Sequence, residues 1–333
     1  MKNHANKYID LHAHLDGSIT VDIAKKLAGM QKIKLPAGSD EKLIDMLSVP
    51  ETCQNLNDFL RCFELPGSLL QTKEAISESV YLVLETMKKD GVVYAELRFA
   101  PQLHKRSGLT QEEVILAAAG GLKRARGELD MPANLILCCM RGKGNEDENN
   151  ETIELAHKYL VKDGGVVAVD LAGAEALFPT KDYVALFAKA EKYGIPITIH
   201  AGEADGADSV KAAIEMGAVR IGHGVRIDGN EEIMRLVKDK GIYLEMCPTS
   251  NRQTKAVEDM KKYPFMKFFE RGIKVTINTD DMAIERTSLS KEFRYMEEEF
   301  GLTPQQEQTI LVNSIDAAFT TDEIKEMLKR DIK

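Results

Sequence analysis

The sequence predicts an α/β protein built as a (β/α)8, TIM-type barrel with a helical insertion between strands 1 and 2. Three observations carry this. Eight short apolar runs recur along the 333 residues, each closing on polar residues or glycine. Amphipathic helical patterns lie between them, which implies parallel pairing through βαβ crossovers. No G-x-G-x-x-G follows a strand and no G-x-x-x-x-G-K-[ST] occurs, so the alternative, an open doubly wound sheet, lacks its nucleotide-phosphate fingerprint.

The runs are YIDLHAHL (8–15), GVVYAELRFAP (91–101), NLILCCMRG (134–142), VVAVDLAG (166–173), PITIHAGE (196–203), AVRIGHG (218–224), IYLEMCP (242–248) and KVTINTDD (274–281). Their Val, Ile and Leu content is that of strands buried on both faces. Between them, TKDYVALFAKAEKYG (180–194), GADSVKAAIEMG (206–217) and GNEEIMRLVKDKG (229–241) place apolar residues at helical spacing and close on glycine. About 75 residues separate the first two strands, a connection long enough to be a lid at the end of the barrel where active sites sit. The division expected is therefore one barrel domain, 1–333, with 16–91 as the insertion. From Thr303 onward a helical pattern is expected to pack outside the barrel.

Composition narrows the classes of function. The formal net charge is -9 and no basic tract is present, which argues against nucleic acid as a partner. The cysteines, Cys53, Cys62, Cys138, Cys139 and Cys247, form no C-x-x-C pair, and their odd number suits a reducing compartment. No apolar run approaches the roughly 18 residues of a membrane span, and the N-terminus carries no signal pattern, so a cytoplasmic protein is expected. Protein partners are not readable.

Four of seven histidines, His12, His14, His200 and His223, fall at strand ends, as do Glu203, Asp280 and Asp281. Period-2 alternation points His12 and His14 to the same side of their strand. Two imidazoles side by side invite a metal, since imidazole is a usual zinc ligand; hydrogen-bonded core histidines are the plainer reading. Convergence of HAH, HAGE, GHG and NTDD on one barrel mouth favours the metal. His4, His104 and His157 lie in a tail, a loop and a helix, where an ordinary structural role suffices.

HAHLDGS, HAGE, GHG and NTDD, on the first, fifth, sixth and eighth strands, resemble the adenosine deaminase family of metal-dependent amidohydrolases. The resemblance spans nearly the whole chain, with DLAGAE on strand four, CPTSN after strand seven and NLNDFLRCFELP in the insertion. It implies one zinc ion per chain, held by His12, His14, His200 and Asp280. The cytosine-type deaminase signature, H-x-E with P-C-x-x-C, is absent, and strand four offers no lysine for a two-metal site. Zinc would lower the pKa of its water toward about 7. The resemblance further implies that Glu203 protonates N1 of the purine, that His223 and Asp281 orient the water and shuttle its proton, and that the Gly173 backbone N–H meets the ring. Glu203 as a helix cap and Asp281 as a turn residue are the plainer alternatives. The family's proline after the paired aspartates is Met282 here.

Two further assignments concern the substrate. Leu56, Phe59, Leu60 and Phe63 are spaced as one face of a helix. That face is either ordinary packing or, by the resemblance, an apolar gate over the substrate. Asp16 is either a turn former in Asp-Gly or the acceptor of the sugar's 5′-hydroxyl. The expected function is zinc-dependent deamination of adenosine and 2′-deoxyadenosine in purine salvage. Adenine deamination is the near alternative, and a catalytically silent nucleoside-binding protein is the alternative of a different class.

Overall fold

The computed structural model describes residues 7–50, 53 and 59–332. Among these the strands β1 (Tyr8–His14), β2 (Val92–Phe99), β3 (Ala133–Met140) and β4 (Val166–Ala172) form one four-stranded sheet, and β5 (Thr198–Ala201), β6 (Arg220–His223), β7 (Tyr243–Met246) and β8 (Lys274–Ile277) a second. All pairings are parallel and in chain order. A parallel bridge at each seam joins the sheets. Val169 pairs with Ile197, and Ala13 pairs with Asp280. At the second seam the Asp280 N–H donates to the His12 carbonyl at 2.7 Å and the His14 N–H donates to the Asp280 carbonyl at 2.8 Å. The eight strands thus close into the expected barrel. Every strand lies inside its apolar run, save that β3 starts one residue ahead of its run, and each stops short of the run's end, because the last residues leave the ladder to build the loops of the mouth.

Helices α1 (Val21–Gln31), α2 (Asp40–Leu47), α3 (Glu64–Leu69) and α4 (Lys73–Lys89) fill the connection between β1 and β2. α4 shows why such segments are helical. Thr72 caps it by accepting from the Ala75 N–H, and Ile76, Val80, Val83, Leu84 and Met87 bury one face in the main apolar core. The following crossovers are α5 (Gln111–Leu129), α6 (Glu146–Tyr159), α7 (Val184–Lys192), α8 (Ala207–Glu215) and α9 (Glu231–Asp239). α10 (Pro248–Gln253) and α11 (Phe265–Glu270) precede β8, and α12 (Leu289–Phe300), α13 (Pro304–Ala317) and α14 (Asp322–Asp331) follow it. No helix among the described residues is long and apolar enough to cross a membrane. All five cysteines are buried, and none is in a disulfide.

The core differs from the sequence expectation in one respect. The outward faces of the strands and the inner faces of the helices form a continuous apolar layer, but the barrel interior is charged. Glu96 and Arg98 of β2, Asp170 of β4, Arg220 of β6 and Glu245 of β7 are all fully buried. Period 2 explains this: YAELRF sends Tyr94, Glu96 and Arg98 inward and its apolar residues outward. Isolated, such charges would be prohibitively costly; here they interlock. Arg98 reaches Asp170 at 3.1 Å and Glu245 at 2.8 Å, and Arg220 reaches Glu96 at 2.7 Å and Glu245 at 2.5 Å.

The C-terminal segment also does more than pack outside the barrel. The turn after α13 seals the barrel floor. The Phe319 ring lies 3.9 Å from the Arg220 guanidinium, its N–H donates to Glu96 at 2.6 Å, and the Ala317 carbonyl accepts from Arg220 at 3.1 Å. Removing one member should expose the cost of this network. Arg98→Met leaves Asp170 and Glu245 facing each other without their shared cation, and should lower unfolding free energy by about 3–5 kcal/mol in urea titrations. A loss below about 1 kcal/mol would mean the interior charges are dispensable to the fold.

Candidate active site

The strand ends bring the histidines together. His12 Nε2 lies 3.0 Å from His200 Nε2, and His14 Nε2 lies 3.2 Å from it. Asp280 Oδ1 is 3.4 Å from both His12 Nε2 and His14 Nε2. On the far side of the rings, His12 Nδ1 meets Glu245 Oε2 at 2.7 Å and His200 Nδ1 meets Asp170 Oδ2 at 2.9 Å. Burial alone would raise the pKa values of both carboxyls. Arg98 and Arg220 nevertheless hold Glu245 well below the usual range, and His200 and Arg98 hold Asp170 down. An ionised carboxylate only accepts hydrogen bonds, so Nδ1 of each ring carries a proton, and in the neutral ring that a metal binds Nε2 presents a bare lone pair. Two bare nitrogens 3.0 Å apart, with a carboxylate oxygen beside them, repel unless a cation lies between. Nitrogen donors backed by carboxylates are the arrangement a divalent transition metal favours, so the donor set fits a metal ion.

His223 belongs to the same cluster: its donor atom and those of His12, His200 and Asp280 all lie within 4.8 Å of one another. Its hydrogen bonds set it apart. Asn251 Nδ2 sits 3.0 Å from His223 Nδ1, while the Tyr263 hydroxyl donates to Asn251 Oδ1 at 3.0 Å. An amide nitrogen only donates, so Nδ1 accepts and the ring proton resides on Nε2. That N–H points into the site, 3.7 Å from both Glu203 and Asp280. Burial keeps this imidazole neutral, with its pKa well below the ordinary value. His223 therefore offers a hydrogen-bond donor where His12 and His200 offer lone pairs.

Tight local geometry permits this crowding. Gly222 faces the His12 ring, and a Cβ there would fall 2.8 Å from Cε1. At Gly17 a Cβ would fall 1.6 Å from Asp281 Oδ1, and the Gly17 carbonyl accepts the Ala283 N–H at 2.9 Å, tying the first loop to the eighth. Asp280 and His223 both adopt left-handed backbone, φ 67° and 66°, which side chains other than glycine rarely take without compensating contacts. Met282, where the family pattern has proline, is buried in the apolar core.

The carboxyls are not alike. Burial, with Asp280 and Glu175 adding to it, pushes Glu203 up to about 8. Asp281 is raised well above the carboxylate range by burial and by Asp280, and its Oδ1 has no hydrogen-bond partner. Burial pushes Asp16, in a 3-10 turn directly after β1, up to about 6. One cavity is lined by His14, Asp16, Gly173, His200, Glu203, His223, Asp280 and Asp281, and on its apolar side by Phe59, Leu60, Phe63, Leu103, Cys138 and Met140. His12 lies beneath it, fully buried. Leu56 lies outside the described residues. Leu60–Phe63 forms a 3-10 turn ahead of α3, and Phe59 also packs with Cys53, Cys62 and Ile284.

The sequence reading missed Asp170, Glu245, Asn251 and Glu175 as parts of the site. For Asp170 and Glu245 a signal existed: a lone acid within an otherwise apolar strand, in VAVDLAG and YLEMC. Nothing local marked their partners, which depend on pairing across the barrel.

A closed parallel barrel with a histidine and aspartate cluster at the ends of its strands is the amidohydrolase type of enzyme fold, with a site that can hold a metal. The family model described as adenosine deaminase matches residues 8–333, and the chain belongs to that family of hydrolytic deaminases. It is 46% identical to the adenosine deaminase of Haemophilus ducreyi over 98% of this chain and 95% of that one. It is 43% identical to the adenosine deaminase of Clostridium botulinum (strain 657), covering 98% of each. Among solved structures, adenine deaminase from Arthrobacter aurescens superposes with a TM-score of 0.89 at 24% identity, covering 98% of each chain, which is a likeness of fold.

The carboxylate backing of the rings yields a measurable expectation. Asp170→Asn removes the charge behind His200 while keeping an acceptor, and should weaken metal affinity about 10–100-fold in competition with a chromogenic chelator. Unchanged affinity would show that Asp170 does not tune the ring.

Proposed function

We propose that this chain hydrolyses adenosine and 2′-deoxyadenosine to inosine and 2′-deoxyinosine with release of ammonia, in purine salvage. The observation that carries the reading is one cavity holding both a cation-ready donor set and a buried carboxyl, Glu203, that keeps its proton at neutral pH. His12, His14, His200 and Asp280 would hold the ion, zinc by the preference of imidazole nitrogen. A divalent ion bound there supplies a water acidic enough to attack at neutral pH.

This chain's own residues do the remaining work. Asp281 accepts the proton that the attacking water sheds as its oxygen bonds to C6, a task for which its Oδ1, without a hydrogen-bond partner and in the cavity wall, is placed. His223 orients that water through its Nε2–H. Glu203 donates its proton to N1, so that the ring receives electrons without building charge. Asp281 then returns its proton to the amino group, which leaves as ammonia, and Glu203 recovers a proton as the C6 oxygen becomes a carbonyl. Gly173 offers its backbone N–H to the purine. Phe59, Leu60 and Phe63 form the apolar gate, so that the insertion serves as the lid of a single barrel domain. Five cysteines outside any disulfide suit a reducing compartment, and we place the enzyme in the cytoplasm. Adenine deamination is the neighbouring reading. Asp16 in the cavity wall favours a nucleoside, because its carboxyl can accept the 5′-hydroxyl of a sugar. A silent binding protein would have no use for Glu203 and the full donor set together.

Three experiments test these roles. Chelation should abolish deamination, followed by ultraviolet absorbance and ammonia release, and zinc should restore it; full activity in protein shown metal-free by elemental analysis would end the metal assignment. Glu203→Gln should retain metal yet lose at least about 10²-fold in kcat, the lower range for general acid–base catalysis; near-normal turnover would exclude it as the N1 acid. Asp16→Ala should lower kcat/KM for adenosine about tenfold or more, as loss of a hydrogen bond to a charged group would, while sparing 5′-deoxyadenosine. Equal losses on both substrates would return Asp16 to the role of turn former.

A further inference from the structure

Glu175 lies three residues beyond the end of β4, 1% exposed, and no step above uses it. Its carboxylate receives four consecutive backbone N–H groups from the loop after β5. Gly202 donates to Oε1 at 2.7 Å, and Glu203, Ala204 and Asp205 donate to Oε2 at 3.0, 2.7 and 3.0 Å. The Ser209 hydroxyl adds a fifth bond, to Oε1 at 2.5 Å. Successive N–H groups turned toward one point form a concavity selective for an anion, and here the anion is supplied from the neighbouring strand. The clamp extends to β5. Ser209 Oγ is 2.6 Å from Thr180 Oγ1, which accepts from Arg141 at 2.9 Å, and Arg141 donates to the His200 carbonyl at 2.6 Å.

We propose that Glu175 is a positioning residue: by gathering the amides of residues 202–205 it fixes the Glu203 carboxyl at the height of the purine N1, relative to the metal donors. This rests on the assignment of Glu203 as proton donor. The physical reason is specific to this loop. α8 starts at Ala207 with Gly206 as its N-cap, and no side chain of the helix caps it. Without Glu175, the buried amides of Gly202 and Glu203 and the half-buried amides of Ala204 and Asp205 would lose their acceptor, and the loop would rearrange to find others. Glu203 moves with any such rearrangement, whereas His12, His14 and Asp280 stand on other elements.

The test is a kinetic double-mutant cycle on the zinc-loaded enzyme with adenosine, with bound zinc measured for each variant. Glu175→Gln keeps the shape but sets an NH2 group against the amides. It should lower kcat about 10²-fold, the scale of an ångström misplacement, with KM and zinc content unchanged. Added to Glu203→Gln, it should cost less than about threefold more, because its effect passes through Glu203. Glu175→Asp, which keeps the charge on a shorter stem, should recover part of kcat. Losses that multiply in the double variant, or a Glu175→Gln enzyme within about twofold of wild type, overturn the clamp while leaving Glu203's role intact. Normal turnover by Glu203→Gln alone overturns the donor assignment and the clamp with it. Should Glu175→Gln fail to fold, Ser209→Ala removes only one of the five bonds. It should lower kcat about 3–10-fold at constant KM and zinc content; an unchanged kcat overturns the proposal.

Discussion

The carboxylate of Glu245 is the contact on which the rest of the structure depends. Its Oε2 receives His12 Nδ1 and Arg98, and its Oε1 receives Arg220 and Thr198 Oγ1 at 3.0 Å. One side chain thus ties strands β1, β2, β5 and β6 to β7 through the middle of the barrel. It also chooses the His12 tautomer, and so decides that Nε2 faces the mouth as a lone pair. Stability and function are inseparable here. The guanidinium groups that keep Glu245 ionised are the same groups that neutralise the buried acids of the barrel interior, and Phe319 and Ala317 cover that of Arg220 from below.

Closure of the barrel and assembly of the site are likewise one event. The bridge between Ala13 and Asp280 completes the β8–β1 seam, and Asp280 is the carboxylate that faces His12 and His14. Its left-handed backbone is held by the two hydrogen bonds that make the bridge. The crowding of acids around it, with Asp281, Glu203 and Asp16 all shifted upward by burial, divides labour. Glu203, Asp281 and Asp16 keep or take up protons, whereas Asp280 is held down by the histidines around it and Glu245 and Asp170 remain acceptors for histidine. Mouth and floor therefore do different acid–base work with the same side-chain chemistry.

Much of the barrel was legible because each strand announces itself locally, as a short Val-, Ile- and Leu-rich run between helices of clear periodicity. The cluster was legible for the same reason: HAH, HAGE, GHG and NTDD each put polar groups at a strand end, and a barrel has only one mouth for them. What was not legible depends on registers between distant strands. VVAVDLAG shows an aspartate, but only pairing around the barrel places it behind His200 rather than in the cavity. AELRF reads as a strand end, yet Arg98 proves to be the cation between β4 and β7. The role of Phe319 needs the chain to return beneath β6 after about a hundred residues. Residues 60–63 show the limit of periodicity, since the spacing suited a helical face while the backbone forms a tight 3-10 turn leading into α3.

Proton placement on the four clustered histidines tests the central claim most directly. Long-range nitrogen–proton correlation spectra of histidine-labelled, metal-loaded protein report which ring nitrogen carries hydrogen. His12 and His200 are expected to be protonated at Nδ1 and bound through Nε2, and His223 neutral and protonated at Nε2, insensitive to acid across the range where an ordinary imidazole titrates. A His223 protonated at Nδ1, or a His12 or His200 with its proton on Nε2, would contradict that claim.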